Sequence, residues 1–315
     1  MRDTPAIPAL HRDSRQLMGA FAAMVFVCAA WGANLPVSKE VLRHIDVIPM
    51  TAMRTVVATI TLGLMLWLIE GRTALRIELA LGRFLALGLI MGSFFAVYAL
   101  GLYFSNPITA AMVQVAGPLI SALTVRFATG HAFDPGFGVA LALSLLGGAI
   151  LSSSNVFGAG HVTFGGGEII VLGSNVLWTL YAIKAQEWFQ RESQLHRAYV
   201  ASVSAMGWLG LAAVAMVVAG LSRSPFLVKD GWVWTQLITI AALAGGIGSY
   251  GFNIGASRLG VAIASLWLNL LPFFAVMWAM TYGYRPNAYQ IAGGLVALSG
   301  VVYMQWRKLT AIKHA

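Results

Sequence analysis

Residues 88–118 read GLIMGSFFAVYALGLYFSNPITAAMVQVAGP, and residues 242–272 read ALAGGIGSYGFNIGASRLGVAIASLWLNLLP. Both are a glycine-bearing apolar segment, a short break, and a second apolar segment containing a proline. Gly92, Gly101 and Pro118 meet Gly246, Gly255 and Pro272 at a constant offset of 154 positions. Each copy continues into a third apolar segment, to about Ser153 and Met304, where Gly147 meets Gly300 one position short of that offset. Upstream, Ala30-Trp31 in the first apolar segment is echoed by Leu177-Trp178 in the sixth. The chain therefore carries its architecture twice. Each unit holds five apolar segments, and because five is odd the second copy crosses a bilayer in the opposite sense to the first. Inverted repeats of this kind build sites at the membrane midplane in many secondary transporters.

Composition agrees with a membrane setting. Of 315 residues, 59% are apolar and 10% charged, and the mean hydropathy is +0.78. These values exclude a soluble enzyme carrying a single anchor. A crossing helix needs roughly 20 apolar residues. Ten spans are predicted, near 18–38, 50–69, 84–104, 107–127, 136–155, 167–186, 197–220, 233–256, 260–282 and 288–306. The expected fold is an all-α membrane protein with ten transmembrane helices in two inverted five-helix repeats. A cytoplasmic tail covers 1–16, the first repeat 17–156, a glycine-rich connector 157–166, the second repeat 167–306 and a second tail 307–315. The connector lacks the Lys-Ser/Thr ending that a phosphate loop requires.

The net charge of +9 is a topology signal. Fourteen Lys and Arg residues, among them Arg12, Arg72, Lys184 and Arg307, fall on the side of the N-terminus. Five fall on the other side: Lys39, Arg43, Arg223, Lys229 and Arg285. The positive-inside rule then puts both termini in the cytoplasm, and the expected location is a bacterial inner membrane. The basic residues follow alternate loops, so nucleic acid is not an expected partner. The partners expected are the lipid bilayer and a small-molecule substrate, and a monomer is compatible with the pattern.

The Trp31-Gly32-Ala33-Asn34 turn in the first span, Arg54 near the start of the second, and Pro118 followed by Gly147 stand in a telling order. With ten spans in two units, they resemble the EamA branch of the drug/metabolite transporter superfamily. The resemblance runs from about Leu17 to Trp306. It implies a helical bundle around a central cavity lined by the first, third, fourth, sixth, eighth and ninth helices, with the fifth and tenth packed peripherally. It also implies export of amino acids, other metabolites or drugs.

Candidate functional residues are few. The six histidines lie in tails or loops and form no pair at metal-ligand spacing. The lone cysteine, Cys28, reads as a small packing residue. No catalytic residue, cofactor or metal is expected. Asn34, Gln114, Asn175, Asn253 and Asn269 are amides inside spans, where an unpaired polar group is costly, so each needs a helix partner, a water or a solute. Trp31 and Asn34 share a face of the first span, as Asn175 and Trp178 do in the sixth. Tyr98, Tyr250 and Trp267 add aromatic surface at depth. The expected substrate-binding set is therefore Trp31, Asn34, Tyr98, Gln114, Asn175, Trp178, Tyr250, Asn253 and Trp267.

Arg54 is the one charge well within a span, and two roles fit it: an anion anchor or gate, or a side chain snorkelling to the outer interface. Lys39 and Glu40 end the first span, as an outer gate or a solvated helix end. Pro36, Pro118 and Pro272 are expected helix breaks. Trp67, Trp188, Trp232, Trp234 and Trp306 are assigned to the interfacial belt. A lining of aromatics and amides suits amphipathic or zwitterionic solutes better than phosphorylated ones. The function expected is a secondary transporter exporting small metabolites, such as amino acids or amphipathic compounds, by alternating access. The alternatives are uptake or exchange of a small organic anion, and a membrane-embedded enzyme, for which a catalytic cluster is missing.

Overall fold

A computed structural model describes residues 14–105, 114, 116–130, 132–133, 135–158, 166–190, 192–280 and 288–313. All regular structure among them is helical: α1 (Ser14–Val41), α2 (Val47–Glu70), α3 (Leu81–Phe104), α4 (Gly117–Thr129), α5 (Phe137–Gly158), α6 (Gly167–Trp188) and α7 (Gln194–Val218). There follow α8 (Gly231–Leu259), α9 (Val261–Trp267), α10 (Leu271–Met280) and α11 (Ala288–Lys313), with 3-10 turns at Arg72–Leu75, Pro225–Leu227 and Leu268–Leu270. Most of the connector expected at 157–166, the tail at 1–13 and the start of the span expected at 107–127 lie outside the described residues.

Among the described residues six helices, α1, α2, α3, α6, α7 and α8, are long and apolar enough to cross a membrane, and shorter apolar stretches lie at Phe137–Ile150, Val261–Leu270 and Ile291–Met304. Their outward faces suit lipid: Leu68 on α2, Leu211 and Val218 on α7 and Leu295 on α11 are all exposed. The threonine hydroxyls of α2 are consumed internally. Thr51, Thr55 and Thr59 each donate to the carbonyl four residues back, and Thr59 also meets Ser202 of α7 at 2.8 Å. Where water is absent, such bonds remove the cost of carrying a polar side chain.

Small residues decide which helices touch. α3 packs on α6 and on α7, α8 packs on α1 and on α2, and α2 packs on α7. At the α3–α6 seam a methyl group on Gly101 would stand 2.7 Å from a Val171 methyl; at the α8–α1 seam one on Gly255 would stand 2.2 Å from the Met24 sulfur. α5 and α11 pack on each other by a reciprocal contact. Gly147 lies against Ala297 and Gly293, while Gly300 lies against Ser144 and Ala140. All three correspondences, 147 with 300, 144 with 297 and 140 with 293, share an offset of 153. In lipid, where apolar surface gives helices little reason to associate, such backbone proximity is a main source of association energy.

The prolines act differently from one another. α1 runs through Pro36 to Val41 and sacrifices only that residue's N–H, so the helix break expected there is absent. The Trp31-Gly32-Ala33-Asn34 stretch is likewise helical and not a turn. Pro118 stands in the first turn of α4, where a missing N–H costs no helical bond. Pro272 stands in the first turn of α10, just after the 3-10 turn Leu268–Leu270, so the break expected there is real. α8 carries an irregularity that no proline marks, a π turn at Ala241–Ile247.

Candidate functional site

A cavity enclosing about 1400 Å³ of empty space, mouth included, opens at one end of the bundle. It is bounded by the C-terminal halves of α1 and α3, the N-terminal halves of α2 and α4, the middles of α6 and α8, and the break between α9 and α10. The opposite half is filled. Leu17, Met24, Tyr181, Phe252, Leu259, Ile263 and Trp267 form one continuous core there. A polar thread backs it: Arg197 donates to the Gln186 side chain and to the Phe189 carbonyl, Gln186 to the Asn253 carbonyl, and the Asn253 amide to the Tyr181 hydroxyl.

The cavity floor is aromatic. Trp31 and Trp178 meet edge to face at 5.3 Å, Phe94 lies 4.9 Å from Trp178, and Phe252 lies 4.8 Å from Trp178 beneath them. Trp31 is held by the π turn of α8, where its indole N–H donates to the Ala244 carbonyl at 2.8 Å. π turns recur at functional sites because the extra residue frees main-chain groups and widens the helix.

Two polar chains climb the walls. On one side the Asn175 amide donates to the Gln114 side-chain oxygen at 2.7 Å, and Tyr98 lines the same cavity. On the other, Arg54 donates through Nη2 to Asn34 Oδ1 at 2.7 Å and through Nη1 to Ser38 Oγ at 3.0 Å, and Ser38 donates to Asn34 Oδ1 at 2.9 Å. Arg54 is thus a cavity-wall residue tied across to α1, not a side chain reaching for the outer interface. Lys39 donates to the Leu102 and Ser105 carbonyls at 3.2 and 3.3 Å, clipping the end of α1 to the end of α3. Glu40 pairs with Arg43 on the exposed rim.

Of the nine residues expected on the cavity, the structure brings together Trp31, Asn34, Tyr98, Gln114, Asn175 and Trp178, with Arg54 and Pro118 beside them. Tyr250, Asn253 and Trp267 lie elsewhere. Tyr250 packs with Leu62 and Leu66 of α2; Asn253 is fully buried against Tyr181 in the closed half; Trp267 stacks on Phe21. The reasons are rotational register and depth. Gly248, Gly251 and Gly255 are the α8 face that α1 approaches, which leaves Tyr250 toward α2, while Asn253 lies one turn past the lining residue Ser249 and falls below the floor. Cys28 is buried with its thiol 3.1 Å from the Trp267 carbonyl. Among the belt tryptophans, Trp67, Trp232 and Trp306 are exposed, whereas Trp188 and Trp234 are half-buried.

Sequence reasoning missed the second helix as a wall. Met50, Thr51, Thr55 and Ala58 line the cavity alongside Arg54, and their signal was the i, i+4 ladder of threonines in an otherwise apolar span. It also left Asn269 out of the set. That residue sits in the 3-10 turn at the cavity wall, 2% exposed, with both amide atoms unpartnered among the described residues.

Known proteins give this geometry its place. Uncharacterized transporter YyaM of Bacillus subtilis (strain 168) is 20% identical over 274 residues, 86% of this chain and 88% of its own. Uncharacterized transporter YrdR of the same organism is 21% identical over 304 residues, 92% of each chain. A solved crystal structure with 18% identity superposes at a TM-score of 0.72 over 94% of this chain and 99% of its own, which shows a shared fold. The EamA-like transporter family matches residues 17–153 and again 165–306. Because the two matches together take in nearly every helix that builds the cavity, this multi-pass membrane protein belongs to the EamA-like transporter family.

Proposed function

We propose that the protein is a secondary transporter of a bacterial inner membrane that carries small amphipathic metabolites outward by alternating access. The observation that carries this reading is the asymmetry of the bundle along its axis: an aromatic and amide cavity at one end, a packed core at the other. With both termini cytoplasmic under the positive-inside rule, the open end is periplasmic and the closed half is the cytoplasmic barrier. The Arg197–Gln186–Asn253–Tyr181 thread is then the seam that parts when the cavity faces inward.

The same reading takes the chain as ten crossings in two inverted five-helix repeats, separated near 157–166. Supporting it are the two family matches and the helix pairings, which map onto themselves when the halves are exchanged: α3–α6 onto α8–α1, α3–α7 onto α8–α2, and α5–α11 onto itself. A carrier fits the lining better than an enzyme does. Among the described residues the cavity presents amides, hydroxyls and one guanidinium, with no carboxylate or imidazole to activate a hydroxyl.

Purified protein in liposomes should accumulate labelled solute with saturating kinetics. Asn175→Ala removes an amide from the cavity lining, and the loss of a solute hydrogen bond worth about 0.5–1.5 kcal/mol should raise the half-saturating concentration roughly two- to thirteenfold. Trp232→Ala, on an exposed belt residue, should leave that concentration unchanged. Flux that never saturates, or equal effects from the two substitutions, would remove the carrier reading.

A further inference from the structure

Resting on the carrier reading of this cavity, the charge distribution narrows the solute. Arg54 is the only ionisable Lys, Arg, Asp, Glu or His among the described residues that line it. No described carboxylate lines it: Glu168 is buried at the start of α6 but lies outside the lining, and others are engaged elsewhere. Glu40 pairs with Arg43, Glu187 with Lys184 and Glu192 with His196, while Asp46 accepts from the Arg223 backbone and Asp230 caps α8. Residues 106–113, which fall between α3 and α4, include no Asp or Glu in the sequence. A cation in a membrane-embedded cavity thus has neutral partners only.

Those partners aim it without neutralising it. A guanidinium has five N–H donors. Two are spent on Asn34 and Ser38, and the Nε–H has no partner among the described residues. An anion with a planar pair of oxygens is the group such a fork receives best. One fixed positive charge suits a monoanion; a phosphate dianion calls for a clamp of several cations. Beside Arg54 the walls are Phe94, Phe95, Trp31, Trp178 and Leu268, so the remainder of the solute is apolar or aromatic.

An ammonium group would find one buried, unpartnered amide oxygen on the lining, Asn269 Oδ1, and no counter-charge among the described residues. Asn34 Oδ1 already accepts from Ser38 and Arg54, Gln114 Oε1 accepts from Asn175, and no carboxylate faces the cavity among the described residues. A zwitterion would surrender the hydration of its ammonium and place it in a cavity that already holds a cation. We propose that the cavity is built for organic monocarboxylates with an aromatic or branched apolar body, paired with Arg54 between α1 and α2, in preference to amino acids. The bound carboxylate also changes the energetics of closure. Sealing a bare guanidinium in a low-dielectric cavity is costly, whereas sealing a hydrogen-bonded ion pair is far less so. The loaded carrier therefore closes more readily than the empty one, which favours exchange over one-way movement.

Three near-isosteric probes separate the charges: 3-phenylpropionate, 3-phenylpropanamide and L-phenylalanine. Binding to the purified full chain in lipid nanodiscs, read by calorimetry, should favour the acid over both others by roughly tenfold or more, the scale of a hydrogen bond to a charged group. Arg54→Gln should close most of the gap between acid and amide, weakening the acid far more than the amide, and Arg54→Lys should restore part of it. If Arg54→Gln does not fold, the wild-type ratios decide alone. Equal binding of acid and amide, tighter binding of phenylalanine, or binding of none of the three overturns the monocarboxylate assignment. Saturable liposome flux of phenylalanine without acid preference would do so while leaving the carrier reading intact; absence of saturable flux for any solute in a wider panel would remove that reading too.

Discussion

Gly147→Leu should yield no detergent-stable protein, while Gly138→Leu on the same helix should fold at wild-type yield. A methyl group at Gly147 would already stand 2.1 Å from the Ala297 nitrogen and 2.6 Å from the Gly293 carbonyl oxygen. Both obstacles are backbone, which cannot swing aside as a side-chain tip does. At Gly138 nothing lies within 4 Å. Even Gly147→Ala should cost about 1–3 kcal/mol, the usual penalty of overpacking, whereas Gly138→Ala should be neutral or stabilising by up to about 1 kcal/mol through helix propensity. Gly300→Ala should match Gly147→Ala, because it meets the Ala140 carbonyl oxygen at 2.6 Å from the other side of the same contact. Size-exclusion profiles and thermal unfolding of the five variants check this. A Gly147→Leu protein that melts with the wild type would show that α5 and α11 do not depend on this approach.

The second large effect is expected at the cavity floor. Trp178 is 3% exposed and its ring touches Trp31, Phe94, Tyr181 and Phe252, drawing α1, α3, α6 and α8 onto one side chain. Trp178→Ala should therefore cost about 3–5 kcal/mol and remove saturable transport, since the wall on which a solute rests goes with it. Trp178→Phe should recover much of the stability. Trp67→Ala, at a residue 51% exposed on the outer face of α2, should change stability by no more than about 0.5 kcal/mol. Thermal unfolding in one detergent compares the three, and equal losses from Trp178→Ala and Trp67→Ala would refute the shared floor.

What could be read from residues alone followed from what a bilayer enforces. Apolar length, basic loops and the spacing of Gly101, Gly255, Gly147 and Gly300 are linear signals, and the seams these glycines make follow from them. Trp31, Asn34, Asn175 and Trp178 reached the cavity because each pair keeps one face of a regular helix. Tyr250 did not, because the π turn at Ala241–Ile247 inserts a residue and shifts later side chains around the axis, which no composition signal announces. Asn253 did not, because it lies one turn deeper than Ser249, beneath the floor. Asn269 was recognised as an amide but not placed, since its position depends on the 3-10 turn that Pro272 permits. Arg54 was recognised as exceptional, yet its role hung on a question only geometry answers: whether its side chain reaches the outer interface or is held by the Asn34 and Ser38 side chains of α1.

The central claim is that one cavity serves the two faces of the membrane in turn, and accessibility of a single wall position tests it most directly. Ala99 lines the cavity from α3 and is 6% exposed, and Cys28, the chain's only cysteine, is buried, so Ala99→Cys with Cys28→Ser leaves one reporter thiol. A membrane-impermeant maleimide should modify position 99 in right-side-out vesicles, through the open end, and also in inside-out vesicles, as the Arg197–Gln186–Asn253–Tyr181 seam parts. Modification from the outer face alone, or from neither face, would contradict the account.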